Sequence, residues 1–171
     1  MKKCLILLLM LFLTGCSRTE PTFETVGEVP AQGPEPEAQQ IALLLPEEAV
    51  EPVQEGNTTY YQCNGYTLTL QTLEGGDLNR TLKTVTGYEK GELNLLQTED
   101  GPVKSYYCVW TSAGDPELQV GRTRILDDGK FHYAVTTMAQ EDKAGQMREA
   151  WQEIFSSVSL ADPDVKLNTG S

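Results

Sequence analysis

Two β-rich runs, Thr59-Tyr60-Tyr61-Gln62-Cys63 and Tyr66-Thr67-Leu68-Thr69-Leu70, flank Asn64-Gly65. Asn-Gly is a strong two-residue hairpin signal, because such a turn asks for positive φ at both positions. In the second run Tyr66, Leu68 and Leu70 alternate with Thr67, Thr69 and Gln71, which predicts one buried and one polar face. A chain that commits to an antiparallel hairpin and nowhere alternates strand with helix is not a doubly wound parallel protein.

The rest of the chain extends that pattern. Ile41 to Leu45 reads as a short buried strand that Pro46 stops. Asp77 is placed to cap a short helix whose Leu78, Leu82 and Val85 share one face, and Gly87 is placed to end it. Leu93 to Thr98 and Lys104 to Ser112 read as strands joined by Glu99-Asp100-Gly101-Pro102. In the second of these Tyr106, Cys108 and Trp110 face one way, Tyr107 and Val109 the other, which predicts a strand covered on both sides. Gly114-Asp115-Pro116 turns the chain. Leu118 to Leu126 and Phe131 to Met138 then form a second hairpin across Asp127-Asp128-Gly129-Lys130.

Glu141 to Ser157 reads as one long helix, with Ala144, Met147, Trp151, Ile154 and Val158 forming an apolar stripe. The expected class is α+β: an antiparallel sheet of about five to seven strands, a short helix between strands, and a long C-terminal helix on one face.

The N-terminus has a different character. Lys2 and Lys3 precede an apolar run, Cys4 to Leu13, about half the ~20 residues a membrane span requires. The run ends in Leu13-Thr14-Gly15-Cys16, which resembles the lipobox of bacterial lipoproteins. That resemblance implies cleavage after Gly15 and a diacylglycerol thioether on Cys16, whose acyl chains, palmitate among them, hold the protein to the membrane. It implies residence at the cell membrane, lipid-anchored, on the extracytoplasmic face. Residues 1–15 are then a signal peptide and 16–40 a lipidated Cys with an acidic, Pro-rich tether. Residues 41–160 form one domain and 161–171 a polar tail. Ser17 to Gln40 carries four prolines, five glutamates and no hydrophobic period, a composition that predicts an extended, mobile chain. Its 24 residues give an average reach of about 27 Å.

Charge narrows the partners. The full chain has 13 basic and 25 acidic residues, a net charge of −12. Loss of Lys2 and Lys3 leaves 11 basic residues and a mature charge near −14. Nucleic acid and anionic headgroups repel such a surface, so membrane contact falls to the lipid on Cys16 and the expected partner is another envelope protein.

Two cysteines remain beyond Cys4 and Cys16. In an exported domain Cys63 and Cys108 are a disulfide candidate, and the alternative is two reduced, buried thiols. His132 is the single histidine, set in a strand, where facing solvent or being satisfied within the sheet is the plain reading. With no Gly-x-Ser-x-Gly, no His/Cys cluster and no spaced calcium carboxylates, the sequence offers no catalytic residue, metal site or cofactor. Asp127-Asp128-Gly129 reads as a turn.

Towards the C-terminus, His132-Tyr133-Ala134-Val135, Trp151 with Ile154 and Phe155, and Ser157-Val158-Ser159-Leu160 resemble the end of the PsbP-like fold family. The resemblance covers about thirty residues and implies an α+β sandwich, no particular enzyme and no functional residue. The function expected is a non-enzymatic accessory module of the cell envelope that contacts another protein. The alternative is a small-molecule, ion or glycan binder, which needs a concave pocket between helix and sheet.

Overall fold

In the computed structural model, which describes residues 37–112 and 118–161, the β-rich runs pair as one antiparallel sheet. Its strands are β2 (Val53–Glu55), β3 (Thr58–Gln62), β4 (Tyr66–Glu74), β5 (Leu96–Asp100), β6 (Val103–Thr111), β7 (Gln119–Asp127) and β8 (Phe131–Gln140), in the spatial order β2-β3-β4-β8-β7-β6-β5. The last long strand therefore lies in the middle, between β4 and β7. Two more strands, β1 (Gln40–Ala42) and β9 (Ser159–Ala161), pair separately, with Ile41 opposite Leu160. The strand expected to run to Leu45 is thus shorter. Beyond it, Leu44 N donates to Ser157 Oγ at 2.9 Å, so a side chain takes the place of a ladder partner.

Both hairpins form. At Asn64-Gly65 only the glycine takes positive φ, 85°, and no non-glycine does so among the described residues, so the doubly left-handed turn expected there is not adopted. Cys63 N closes the turn on Tyr66 O at 2.9 Å. At the other hairpin Asp128 Oδ1 accepts from Lys130 N and Phe131 N, and Asp127 Oδ1 from Gly129 N, so both carboxylates serve the turn.

Helix α1 (Leu78–Thr86) starts where Asp77 accepts from Arg80 N at 3.1 Å and stops at Gly87, φ 83°, whose N–H reaches Lys83 O. The C-terminal helix is not continuous. It divides into α2 (Glu141–Ala144) and α3 (Arg148–Ser157), separated by turn residues 145–147. Gly145 lies at the break, and glycine in a helix interior costs about 1 kcal/mol relative to alanine. Met147 Cε also lies 3.6 Å from where a Cβ on Gly65 would sit, so this turn packs over the β3–β4 hairpin. The apolar stripe survives the break, with Trp151, Ile154 and Val158 buried and Ala144 and Met147 packed on the same cluster.

Alternation divides the sheet into two faces. On one, Tyr66, Leu68, Leu126, Tyr133 and Val135 meet Trp151, Ile154 and Phe155 of α3. On the other, Tyr106, Cys108, Ile125 and Ala134 meet Leu82 of α1, with Leu78 and Val85 beside it. Residues 1–36, 113–117 and 162–171 lie outside the described residues, and with them the signal peptide, Cys16, most of the tether, the Gly114-Asp115-Pro116 turn and nearly all of the polar tail.

Candidate functional site

Helix α3 covers only part of its face. Phe155 reaches β6, where it meets Tyr107 edge-on with centroids 5.6 Å apart. Beyond that contact no helix among the described residues covers this face of the sheet. Leu96 of β5 is 63% exposed and Val109 of β6 50% exposed, so the two-sided covering expected of β6 stops short of Val109. Between the helix and these outer strands lies a cleft of about 390 Å³, with Leu96, Tyr107, Arg122, Arg124, Gln152 and Phe155 in its wall.

Arg122 and Arg124 are two apart on β7 and so project from the same face of the sheet. Arg124 is fixed, with Nε donating to Ser105 Oγ at 3.0 Å and Nη1 to Phe155 O at 2.5 Å. Desolvation holds its pKa below the usual arginine value. Arg122 stands over the ring of Trp151, 5.2 Å from its centroid. Its Nε is buried and has no hydrogen-bond partner. Two other buried polar atoms share that condition, Thr137 Oγ1 and Trp151 Nε1. Thr137 pairs with Arg122 across β7 and β8 and Trp151 lies against Arg122, so the three residues adjoin. An unpaired buried polar group costs about 1–3 kcal/mol, and native proteins keep few of them. Among the described residues no carboxylate lies within ion-pair distance of either guanidinium, although the chain is strongly acidic.

A second hollow of about 450 Å³ lies where Leu44 to Glu48 meet Ala150, Glu153 and Ile154. Its ionisable lining is Glu47, Glu48 and Glu153, which offers no donor to a ligand.

The opposite face brings Thr81, His132 and Asp127 together. Thr81 Oγ1 is 2.6 Å from His132 Nδ1, and His132 Nε2 is 3.6 Å from Asp127 Oδ2. The residue types are those of a nucleophile, base and orienting acid. Yet Thr81 is 3% and His132 1% exposed, so a substrate cannot approach the hydroxyl while α1 is seated. The contact ties α1 to β8, and His132 is satisfied within the fold.

Of the residues singled out in the sequence, Cys16 lies outside the described residues. Cys63 and Cys108 are free thiols, which corrects the disulfide expectation. Cys63 follows β3 in the α3-side core and Cys108 is on β6 in the α1-side core. With β4, β8 and β7 between those strands, four strand spacings of about 4.8 Å separate them, far beyond the ~7 Å Cα limit for a bridge. Burial pushes the Cys108 thiol up to about 11. Burial also raises Cys63, partly opposed by a hydrogen bond with Tyr66 and reinforced by Glu48.

The arginine pair was not singled out in the sequence. Its signal was present as Arg122-Thr123-Arg124, like charges two apart in a strand, but which face that strand turns to α3 is not written locally. Among the described residues no helix is long and apolar enough to cross a membrane.

The shape is similar to that of a protein from Bacteroides thetaiotaomicron, with a TM-score of 0.49 and 11% identity, over 74% of this chain and 47% of that one. It is also similar to LpqN, involved in cell envelope biogenesis of Mycobacterium tuberculosis, with a TM-score of 0.47 and 12% identity, over 75% of this chain and 87% of that one. The chain thus spans about half the length of the Bacteroides protein. No family model matches the chain, and no curated protein matches it in sequence. At these values neither structural likeness carries an argument about function.

Proposed function

We propose that this chain is a lipid-anchored, extracytoplasmic accessory protein of the cell envelope that works by binding and not by catalysis. Cys16 carries the anchor and the cleft beside α3 is the binding site. The anchoring rests on Leu13-Thr14-Gly15-Cys16 behind a basic start and a short apolar run. The observation that carries the binding reading is the open cleft with two arginines that no carboxylate among the described residues neutralises, beside the exposed Leu96 and Val109.

Two clients fit such a module, another envelope protein or a small molecule. The geometry favours the small molecule. The cleft has the volume of a small-ligand site and convergent polar groups between helix and sheet. Among the described residues the exposed large apolar side chains are dispersed over the segment after β1, the β2–β3 edge, the β5–β6 edge and Leu118 before β7.

Metabolic labelling with palmitate tests the anchor: the wild type takes up label and Cys16→Ser does not. Label on both, or on neither, removes the anchor from the reading. For the site, a photo-crosslinking residue at position 96 of the full chain in its own membranes is expected to capture a small adduct by intact-mass analysis. A stoichiometric protein adduct instead would move the reading to the protein client, and no adduct would remove the cleft from it.

A further inference from the structure

The geometry points to a ligand class for the cleft, and the inference rests on the binding reading above: we propose that the cleft recognises the oxyanion of a small amphiphile, a carboxylate or phosphate monoester carried on an apolar body, through Arg122 and Arg124. Four observations converge on it. The arginines project from one face of β7 into one cleft. Neither has a carboxylate partner among the described residues, in a chain with about two acids for every base. Arg122 leaves its buried Nε unsatisfied among the described residues. The rest of the wall mixes apolar and neutral polar groups, with Leu96, Tyr107 and Phe155 offering the apolar surface and no acid among them.

Arg122 and Arg124 are each half-buried, and an entering oxyanion offsets the cost of a partly desolvated cation that has no counter-charge among the described residues. Guanidinium donors form a planar fork that matches a carboxylate or phosphate, which fits this group better than a neutral sugar or a metal cation. Arg124 is the pre-set donor, held by Ser105 and the Phe155 carbonyl. Arg122 sits on Trp151 and completes the site when the anion arrives. The general acidity of the chain then acts as a filter, because a polyanion is repelled more strongly than a single anionic head on an apolar tail.

Trp151 lies under Arg122 and so reports on it. The test is a tryptophan-fluorescence titration of the full lipidated chain in phosphatidylcholine nanodiscs, with octanoate, octyl phosphate, 1-octanol and inorganic phosphate as probes. Octanoate and octyl phosphate are expected to saturate the signal at concentrations at least about tenfold below those of octanol and inorganic phosphate. Arg122→Gln should weaken octanoate by about tenfold or more. Leu96→Glu, on an exposed rim residue that leaves the core untouched, should weaken it severalfold with an unchanged Tm. Repeating the octanoate titration in nanodiscs rich in phosphatidylglycerol separates the sources of the anion. Unchanged binding assigns the cleft to a free amphiphile, and competition by the discs assigns it to a lipid headgroup. Octanol binding as tightly as octanoate, or Arg122→Gln binding octanoate normally, overturns the oxyanion inference and leaves a binding cleft standing, whereas Leu96→Glu binding octanoate normally removes the cleft as its site. If no probe binds and position 96 captures no adduct, the inference and the binding reading fall together.

Discussion

The two faces of the central sheet solve the same packing problem differently. On the α1 side, a short helix seats Leu82 among Tyr106, Ile125 and Ala134, and its buried polar groups are paired: Thr81 with His132, Thr123 with Thr136, and Trp110 Nε1 with Thr123 Oγ1. On the α3 side, a larger aromatic core surrounds Trp151, and three buried polar atoms go without a partner among the described residues. The closed face spends its polar groups on holding the fold. On the open face Trp151 and Thr137 are fully buried, and it is the half-buried Arg122 and Arg124 that meet the cleft, the pattern expected where a ligand completes the structure.

The largest effect that tests this contrast is loss of Trp151. The ring is fully buried, meets Tyr66 edge-on at 6.1 Å and carries Arg122 on its face. Trp151→Ala is expected to destabilise by about 3–5 kcal/mol in urea unfolding. A loss near 1 kcal/mol would mean that α3 is not what holds this face. On the closed face, Thr81→Val keeps the volume and leaves His132 Nδ1 without its partner, so a loss of about 1–3 kcal/mol is expected.

Arg122→Met is the counterpart on the open face. It removes a donor that is already unsatisfied, at the expense of a cation–π contact, so stability should stay within about 1 kcal/mol of wild type. Should Arg122→Met cost as much as Thr81→Val, the contrast between the faces would fail.

Alkaline unfolding gives a smaller readout from the same region. Burial, with Asp128 accepting its proton against a hydrogen bond from Gln39 N, pushes Tyr133 up to about 12. The unfolded tyrosine loses its proton near pH 10, so the folded state holds the proton longer. That stabilisation is complete below pH 10 and is lost as pH rises from 10 towards 12. Tyr133→Phe should flatten this limb of the stability–pH curve, and an unchanged limb would remove Tyr133 as its source. At the acid end Asp128 is the group of opposite sign. Its desolvation is outweighed by hydrogen bonds from Phe131 N, Lys130 N and the Tyr133 hydroxyl, which together hold its carboxyl below the usual range. Its contribution is present above pH ~4 and is lost as pH falls through its depressed pKa.

The last test carries no change in stability. Cys63 and Cys108 lie on opposite faces, so both should resist a thiol reagent in the native state and both should react after unfolding without reductant. Reaction that required reductant would restore the bridge.

Local chemistry made much of this fold legible. Asn64-Gly65 marks its hairpin, Asp77 and Gly87 bound their helix, and Tyr106, Cys108 and Trp110 share the face that alternation assigns them. The apolar stripe from Ala144 to Val158 packs as its spacing predicts. Each of these signals is complete within about fifteen residues or fewer. The sequence also carries the lipobox resemblance and the acidic balance by itself, since neither depends on folding.

Tertiary structure decided the rest, because the deciding contacts are distant in sequence. Strand β8 takes the centre by pairing with β4, Leu68 opposite Thr137 across 69 positions, and no local pattern names that partner. That placement puts Cys63 and Cys108 on opposite faces and four strands apart, where a cysteine count alone suggested a bridge. The break after Ala144 sets α3 at ten residues, Arg148–Ser157. A helix of that length spans about 15 Å, which leaves the β5–β6 edge uncovered and turns Arg122 and Arg124 from two charges in a strand into the wall of a cleft.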